Sequence, residues 1–134
     1  MANISQYMQK AMLDWVLLGA TPTRPASVLC GLSLGAPSST SNSEVGAGSG
    51  YARGIPTFGA AAQPAGSGSA SNNAAMTFGP FSSSQVISGL FLIDNTALAT
   101  ATNQLWFGNL ATVRTPLVGD SLVINIGALQ ITLA

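Results

Sequence analysis

Residues 27–34 read Ser27-Val28-Leu29-Cys30-Gly31-Leu32-Ser33-Leu34. Apolar side chains recur at every second position from Val28 to Leu34, and this period of two is typical of a β-strand. Cys30 is the only cysteine of the chain, so no internal disulfide can form. We interpret it as a small buried core residue and not as a reactive thiol. From this stretch onward the sequence predicts a β structure.

Further short strands follow, separated by connections rich in Gly and Ser. We predict them at residues 51–58, 75–78, 86–93, 105–110, 122–126 and 129–133. The strand at 86–93 is apolar on both faces and should be central, whereas Pro56 puts 51–58 at an edge or a bulge. Gly127 and Ala128 mark a tight turn or a bulge that switches sheets. Residues 35–50 and 59–73 are predicted to be long loops.

A single helix is predicted at the N-terminus, over residues 4–18. Its apolar face follows the three-and-four spacing of a helix, with Asn3 as the cap, Gln6 at the capping-box position and Gly19 at the end. The C-terminal half is apolar on nearly all sides, which indicates burial against more than one surface. The whole chain, 1–134, is therefore predicted to be one domain. Residues 1–19 form the N-terminal helix, and 26–134 form an antiparallel β-sandwich or jelly-roll-like unit.

The chain carries very little charge. Only 6% of its residues are charged and the formal net charge is +0, against about 25% charged residues in an ordinary soluble domain. Neutrality promotes association, so this composition favours a protein that is docked in an assembly. The four basic residues are scattered and form no patch for nucleic acid. No apolar run approaches the roughly 18 residues of a membrane span, so neither nucleic acid nor membrane is an expected partner.

The motifs that could carry chemistry are weak. Residues 31–35, Gly-Leu-Ser-Leu-Gly, match the G-x-S-x-G pattern of α/β-hydrolases, but the chain contains no histidine and no helix is predicted after Gly35. Ser33 is therefore interpreted as a strand residue. One cysteine and four scattered carboxylates also make a poor ligand supply for a metal. We expect no catalytic residue, no metal and no cofactor, and hence no enzyme.

Five residues are candidates for contacts with other subunits. Tyr7 and Trp15 share a helix face and could pack on the chain's own sheet or anchor in a neighbouring subunit, where such residues are enriched. Arg24, Arg53 and Arg114 are scarce charges in this chain. Each could form a bidentate link to a carboxylate across an interface, and a solvated or intrachain role is equally open.

The order of several short motifs resembles a known family. They are Met-Ala-Asn-Ile-Ser-Gln-Tyr at 1–7, the strand 27–34 with Gly-Ala-Pro after it, Ser-Glu-Val at 43–45, Gly-Tyr-Ala-Arg at 50–53, Asn-Ala-Ala-Met-Thr-Phe at 73–78, Leu-Trp-Phe-Gly at 105–108, Arg-Thr-Pro at 114–116, Gly-Asp at 119–120 and Gly-Ala-Leu at 127–129. This series is similar to small virion proteins of tailed bacteriophages, described as tail fibre, minor tail or head decoration proteins. The resemblance implies a location in the virion and no catalysis.

Within that class the compact domain, without heptads or repeats, favours a capsid decoration (cement) protein. It would bind as a homotrimer on the capsid exterior, at junctions of the major capsid protein, and stabilise the shell by burying surface across several subunits. The alternative is a component of the tail, the tail fibre or its attachment site. A carbohydrate-binding β-sandwich would require exposed aromatics clustered with Asp or Asn, and no such cluster is compact in the sequence.

Overall fold

The structure is a computed structural model that describes residues 3–21, 25–63, 67–94 and 103–133. One α-helix and eight strands are present in these ranges. In chain order they are β1 (Asn3–Ile4), α1 (Gln6–Leu18), β2 (Leu29–Ser33), β3 (Gly68–Ser71), β4 (Met76–Phe78), β5 (Ile87–Ile93), β6 (Gln104–Arg114), β7 (Leu122–Ile124) and β8 (Gln130–Leu133). Every strand pair is antiparallel. The predicted mainly β fold with an N-terminal helix is confirmed.

The largest sheet has four strands in the order β1-β6-β5-β2. Strand β5 lies between β6 and β2, so the central strand predicted from its two apolar faces is confirmed. Leu92 faces Cys30 on one side and Trp106 on the other, and Ile4 of β1 pairs with Trp106 beyond. The sheet thus joins β1, near the N-terminus, to β2, the strand from which the β fold was predicted.

Two ribbons complete the fold, β3 with β8 and β4 with β7. Consecutive strands β7 and β8 therefore belong to different ribbons, which confirms that the chain switches sheets around Gly127. Gly127 has φ of 76°, in the left-handed region that glycine adopts without a steric cost. Asn72 marks the corresponding switch on the partner strands: it follows β3, which pairs with β8, and precedes β4, which pairs with β7.

The buried Asn72 side chain holds the two ribbons together at this switch. Its Nδ2 donates to the carbonyls of Ala74 and Asn125 at 2.8 and 2.9 Å, and its Oδ1 accepts from Leu129 N–H at 2.9 Å. Its backbone N–H and carbonyl bond Leu129 and Gly127 as well. One side chain therefore provides hydrogen-bond partners for backbone groups that have no strand partner where the chain passes from one ribbon to the other.

Two predicted segments, 59–73 and 51–58, were assigned the wrong type of structure. Strand β3 lies inside the stretch 59–73, which was predicted to be a loop; its small residues show no apolar alternation, and pairing with β8 supplies its order. Residues 51–58 form no strand, only isolated bridges at Gly54 and Phe58. Pro56 has no N–H for a continuous ladder, which explains the interruption.

The stretch 35–50 follows the outer edge of β2. Leu34 N–H bonds Ser43, Val45 N–H bonds Leu32, and Cys30 exchanges two bonds with Gly54. The remaining edge donor, Leu32 N–H, bonds the Tyr51 hydroxyl at 3.0 Å. An open strand edge is a template for association, and this chain closes that edge of β2 with its own residues.

The main core lies between the four-stranded sheet and the two ribbons. It unites side chains from both layers, among them Cys30, Leu32, Leu92, Leu105, Phe78, Phe81, Ile124 and Ile131. A smaller cluster of Leu29, Phe91 and Ile93, with Phe107 against it, lies on the opposite face of the sheet. The prediction that Cys30 is a core residue is confirmed, since its side chain is fully buried.

Candidate subunit interface

The start of α1 is anchored firmly to the sheet. The cap is Ser5, whose hydroxyl oxygen accepts from Met8 N–H at 3.1 Å; Asn3, the predicted cap, lies in β1 instead and pairs with Phe107. The Ser5 hydroxyl also donates to the carbonyl of buried Gln104, and Ser5 N–H bonds Leu105 at 3.0 Å. The direction of the helix is therefore set by β6. Gly19 ends it in the left-handed region, as predicted.

The rest of α1 leaves the body of the protein. No residue of the helix is buried, and Met8 is its only side chain that packs against the main core among the described residues. Trp15 lies seven residues after Met8, two turns further along the same face, yet it is 55% exposed. The helix face that carries Met8 and Trp15 therefore extends beyond the part of the protein that covers Met8.

The C-terminal half of α1 is an exposed surface that is apolar on nearly all sides, interrupted by Asp14, and we call its apolar part the helix overhang. Its members, with their exposed fractions, are Leu13 (58%), Trp15 (55%), Val16 (69%), Leu17 (73%) and Leu18 (78%). Tyr7 is 43% exposed on the first turn. Within this chain, Tyr7 and Trp15 thus do not form the buried packing on their own sheet that was one of two interpretations, and both remain available to a neighbouring subunit.

A second apolar surface lies between the sheet and the β3–β8 ribbon. This groove has a volume of about 340 Å³. Among the residues that the structure describes, no charged one lines it, and its large side chains are Val28, Phe58, Leu92, Trp106, Ile131 and Leu133. Small residues, Ala61 and residues 68–70, form the remaining wall. Grooves of this size and polarity accept apolar anchors of a partner.

Arg53 belongs to a buried ion pair within its own chain. Its Nε and a terminal guanidinium nitrogen bond the two carboxylate oxygens of Glu44 at 2.7 and 2.6 Å, and the two side chains are 3% and 2% exposed. The Tyr51 hydroxyl donates to the same carboxylate at 2.9 Å. The bidentate pairing predicted for Arg53 therefore exists, but as the intrachain alternative and not across an interface.

The ion pair is assembled by the stretch that follows the β2 edge. Bridges place Glu44 beside Ser33 and Gly54 beside Cys30, which brings residues 44 and 53 together on the small-cluster face of the sheet. The Arg53 guanidinium lies 5.7 Å from the centre of the Phe91 ring. That ring lies across Gly31, where an added Cβ would come within 2.2 Å of it. Gly31 is thus required for the ring that supports Arg53.

The other two candidate arginines differ from Arg53. Arg24 lies outside the described residues. Arg114 is exposed at the end of β6 and lines an open cleft of about 400 Å³ together with Thr115, Asp120 and Ser121. Within the described ranges no salt bridge joins Arg114 to a carboxylate. Its predicted role in an interface stays a prediction.

The G-x-S-x-G motif at residues 31–35 begins inside strand β2. Ser33 is buried in β2, and its hydroxyl exchanges hydrogen bonds with the Ser43 backbone, which confirms its interpretation as a strand residue. Across the described ranges no three potential metal ligands come together. Helix α1 is too short to cross a bilayer, and the described residues contain no other helix that could do so.

The buried thiol of Cys30 makes a pH-dependent prediction. Burial raises its pKa from 9.0 to about 12 because the thiolate is poorly solvated there, and burial raises the pKa of Tyr51 as well. As the pH rises, the thiol of the unfolded chain ionises before the buried one. The contribution of Cys30 to the free energy of unfolding should therefore be fully present below pH 9 and should be lost as the pH rises towards 12. Urea unfolding at a series of alkaline pH values measures this.

The same burial should protect Cys30 from modification. A thiol reagent at neutral pH is expected to label the native chain far more slowly than the urea-unfolded chain, because the thiolate is the reactive form and is inaccessible. Equal labelling rates in the native and unfolded chains would contradict the buried position. A Cys30→Ala chain, which cannot be labelled, is the control for reaction at other groups.

Comparison with known proteins connects this fold to phages. A family model described as "Podophage GP4 fiber I protein gp80" matches residues 3–132. No curated protein sequence matches the chain. The family match extends from β1 to β8 and confirms the resemblance to phage virion structural proteins that the order of motifs indicated. The chain therefore belongs to the Podophage GP4 fiber I protein gp80 family, a family of phage virion structural proteins.

Proposed function

We propose that this protein is a non-enzymatic structural subunit of a podophage tail fibre or of the site where the fibre attaches. The observation that carries the proposal is the family match over residues 3–132, whose description names a fibre protein. The match agrees with the alternative that the sequence left open. It gives no support to the first expectation, a capsid decoration protein on the capsid exterior.

Two structural features support an architectural role. The apolar helix overhang and the apolar groove are both exposed in the single chain, and large exposed apolar patches mark sites of protein association. Several buried polar groups, in contrast, are used within the fold: Glu44 and Arg53 bond each other, and Ser33 bonds the Ser43 backbone. These three side chains are thus engaged within the fold, while the exposed apolar surfaces are suited to packing.

The location can be tested on purified virions. Antibodies against the recombinant chain, detected with gold in electron micrographs, are expected to label the tail. Densitometry of virion proteins should give a copy number far below that of the major capsid protein. A tail label with a low copy number is the result that a fibre subunit requires.

A different pattern would overturn the proposal. Label spread over the capsid surface, at a copy number comparable with that of the major capsid protein, would restore the decoration role. An antibody against the major capsid protein is the matched control, since it must label the head in the same preparation.

A further inference from the structure

We propose that the open edge of strand β6, residues 108–114, accepts an extended strand of a different virion protein, one that carries a carboxylate where it passes Arg114. In a contact of this kind the added strand extends the sheet, and backbone hydrogen bonds supply much of the affinity. The proposal holds whether the subunit lies in the tail or in the head, so it does not depend on the proposed location.

The first argument is that β6 is much longer than the strand beside it. Strand β6 has 11 residues, whereas β1 has 2 and pairs only with Trp106 and Phe107. Beyond Phe107, no described residue pairs with β6 on the β1 side. The opposite edge of the same sheet, along β2, is closed by residues 43–54. Within the described ranges, the chain therefore covers one edge of its sheet and leaves most of the other open.

The backbone groups along this edge are of the kind that recruits a strand. The carbonyl of Leu105 faces the β1 side, since it accepts from Ser5 N–H, and groups on one side of a strand recur at every second residue. Those of Asn109 should therefore face the same side. Residues 110–113, Ala111 among them, have no ladder partner in β5 either. Residues 108–113 contain no charge and no proline, the residues that commonly protect an edge from pairing.

The second argument is the shape of the surface beside this edge. Two adjoining clefts, of about 430 and 340 Å³, follow the edge and share Leu90, Leu110, Ala111 and Ala128. Their opposite wall is formed by β8, Ala128 and β7, and each of these two strands is paired on one side only within the described residues. At about 3.3 Å per residue, the open edge is about 23 Å long. The surface therefore has the length and the backbone lining that an extended strand requires.

The third argument is charge, which indicates the kind of strand. Arg114 is the one charged residue among the described residues that line the two clefts, and it is exposed. Within the described ranges no salt bridge joins it to a carboxylate. A carboxylate on the added strand would form a charge-assisted pair there, whereas the rest of that strand should be uncharged.

The same charge argues against the β6 edge of a second copy as the occupant. Residues 104–114 contain neither Asp nor Glu, so two paired β6 edges would bring together arginines without a carboxylate. Electrostatic complementarity selects partners at an interface. The strand that fits this edge is therefore one from a protein of different sequence.

Hydrogen exchange in the isolated full chain tests whether the edge is open. Residue-resolved NMR is expected to show the amides of Asn109 and Ala111 exchanging at nearly the rate of an unfolded chain, at low and at tenfold higher protein concentration. The Leu32 amide, which bonds the Tyr51 hydroxyl on the closed edge, is the matched control and should exchange about 100-fold more slowly.

Two outcomes of this measurement would overturn the proposal. Slow exchange of Asn109 and Ala111 at every concentration would show that the chain itself covers the edge. Protection that increases with protein concentration would assign the edge to a second copy.

Variants at residue 111 test whether the edge binds in the virion. Ala111→Pro removes the backbone N–H, and proline is tolerated in edge strands. Virions assembled with this variant are expected to contain about tenfold less of the chain by immunoblot, because the added strand loses a backbone partner. Ala111→Ser keeps the N–H and should be incorporated like the wild type. Wild-type incorporation of an Ala111→Pro chain, with circular dichroism showing that it is folded, would contradict the proposal.

A charge reversal at Arg114 tests the chemistry of the partner and needs no change in the strand backbone. Arg114 is exposed, so Arg114→Glu should fold even if Ala111→Pro does not. Its incorporation into virions is expected to fall by about tenfold, because two carboxylates would then face each other. Arg114→Lys keeps the positive charge and should stay within about threefold of the wild type. Wild-type incorporation of Arg114→Glu would exclude an acidic strand at this edge.

Discussion

Replacement of Arg53 by Met is expected to destabilise the folded chain by about 3–5 kcal/mol. The substitution leaves the Glu44 carboxylate, whose side chain is 2% exposed, without its bidentate cation. An uncompensated charge in a buried position is far more costly than the loss of an exposed ion pair. Urea unfolding followed by circular dichroism measures the difference as a lower midpoint with an unchanged slope.

The double variant Glu44→Leu/Arg53→Met distinguishes a buried charge from lost packing. Removing both charges is expected to recover most of the loss, because apolar groups of similar volume replace a buried ion pair at little or no net cost. Arg114→Met is the matched control, since Arg114 is exposed and should change stability by less than about 0.5 kcal/mol. A single variant at Arg53 that is as stable as the Arg114 variant would contradict the buried pair.

Replacement of Asn72 by Ala is expected to cost about 2–4 kcal/mol, because buried backbone groups lose their partners. The amide bonds Leu129 N–H and the carbonyls of Ala74 and Asn125, and Leu129 is buried. The Asn72 side chain joins the two ribbons, so the loss of stability should extend to both. Thermal unfolding and amide hydrogen exchange of β7 and β8 measure the effect.

Asn73 is the matched control for this prediction. It has the same side chain, precedes the same strand and is exposed, so Asn73→Ala should change stability by less than about 0.5 kcal/mol. Asn72→Asp should be as harmful as Asn72→Ala, because a carboxylate cannot donate to the two carbonyls. Equal stability of the Asn72 and Asn73 variants would show that the amide does not hold the ribbons together.

Much of the secondary structure followed from local patterns. Strand β2, central β5 and helix α1 were predictable because alternation, two apolar faces and helical spacing are properties of short stretches. Strand β3 was not, since Gly68–Ser71 contains only small residues and is ordered by its pairing with β8. The helix cap was misplaced from Ser5 to Asn3 for a similar reason: pairing with β6 draws Asn3 into the sheet.

The candidate interface was only partly predictable. The apolar character of the last turns of α1 was evident, and so was the chance that Tyr7 and Trp15 contact a neighbouring subunit. The groove was not evident, because its lining comes from distant segments such as Val28, Phe58 and Ile131. The buried partner of Arg53 was also missed, although two charges in a Gly-rich, nearly uncharged stretch were a usable signal.

By itself the sequence determined that the protein is a neutral, mainly β chain with one apolar N-terminal helix, and the order of its motifs indicated a phage virion protein. These are sums of local preferences and of composition, so they can be read before the chain folds. Only the tertiary structure decided that Arg53 lies inside the chain, that the β2 edge is closed by residues 43–54, and that Trp15 is exposed. Each of these depends on where distant segments meet and where the body ends, because burial is set by the surroundings of a side chain and not by its type alone.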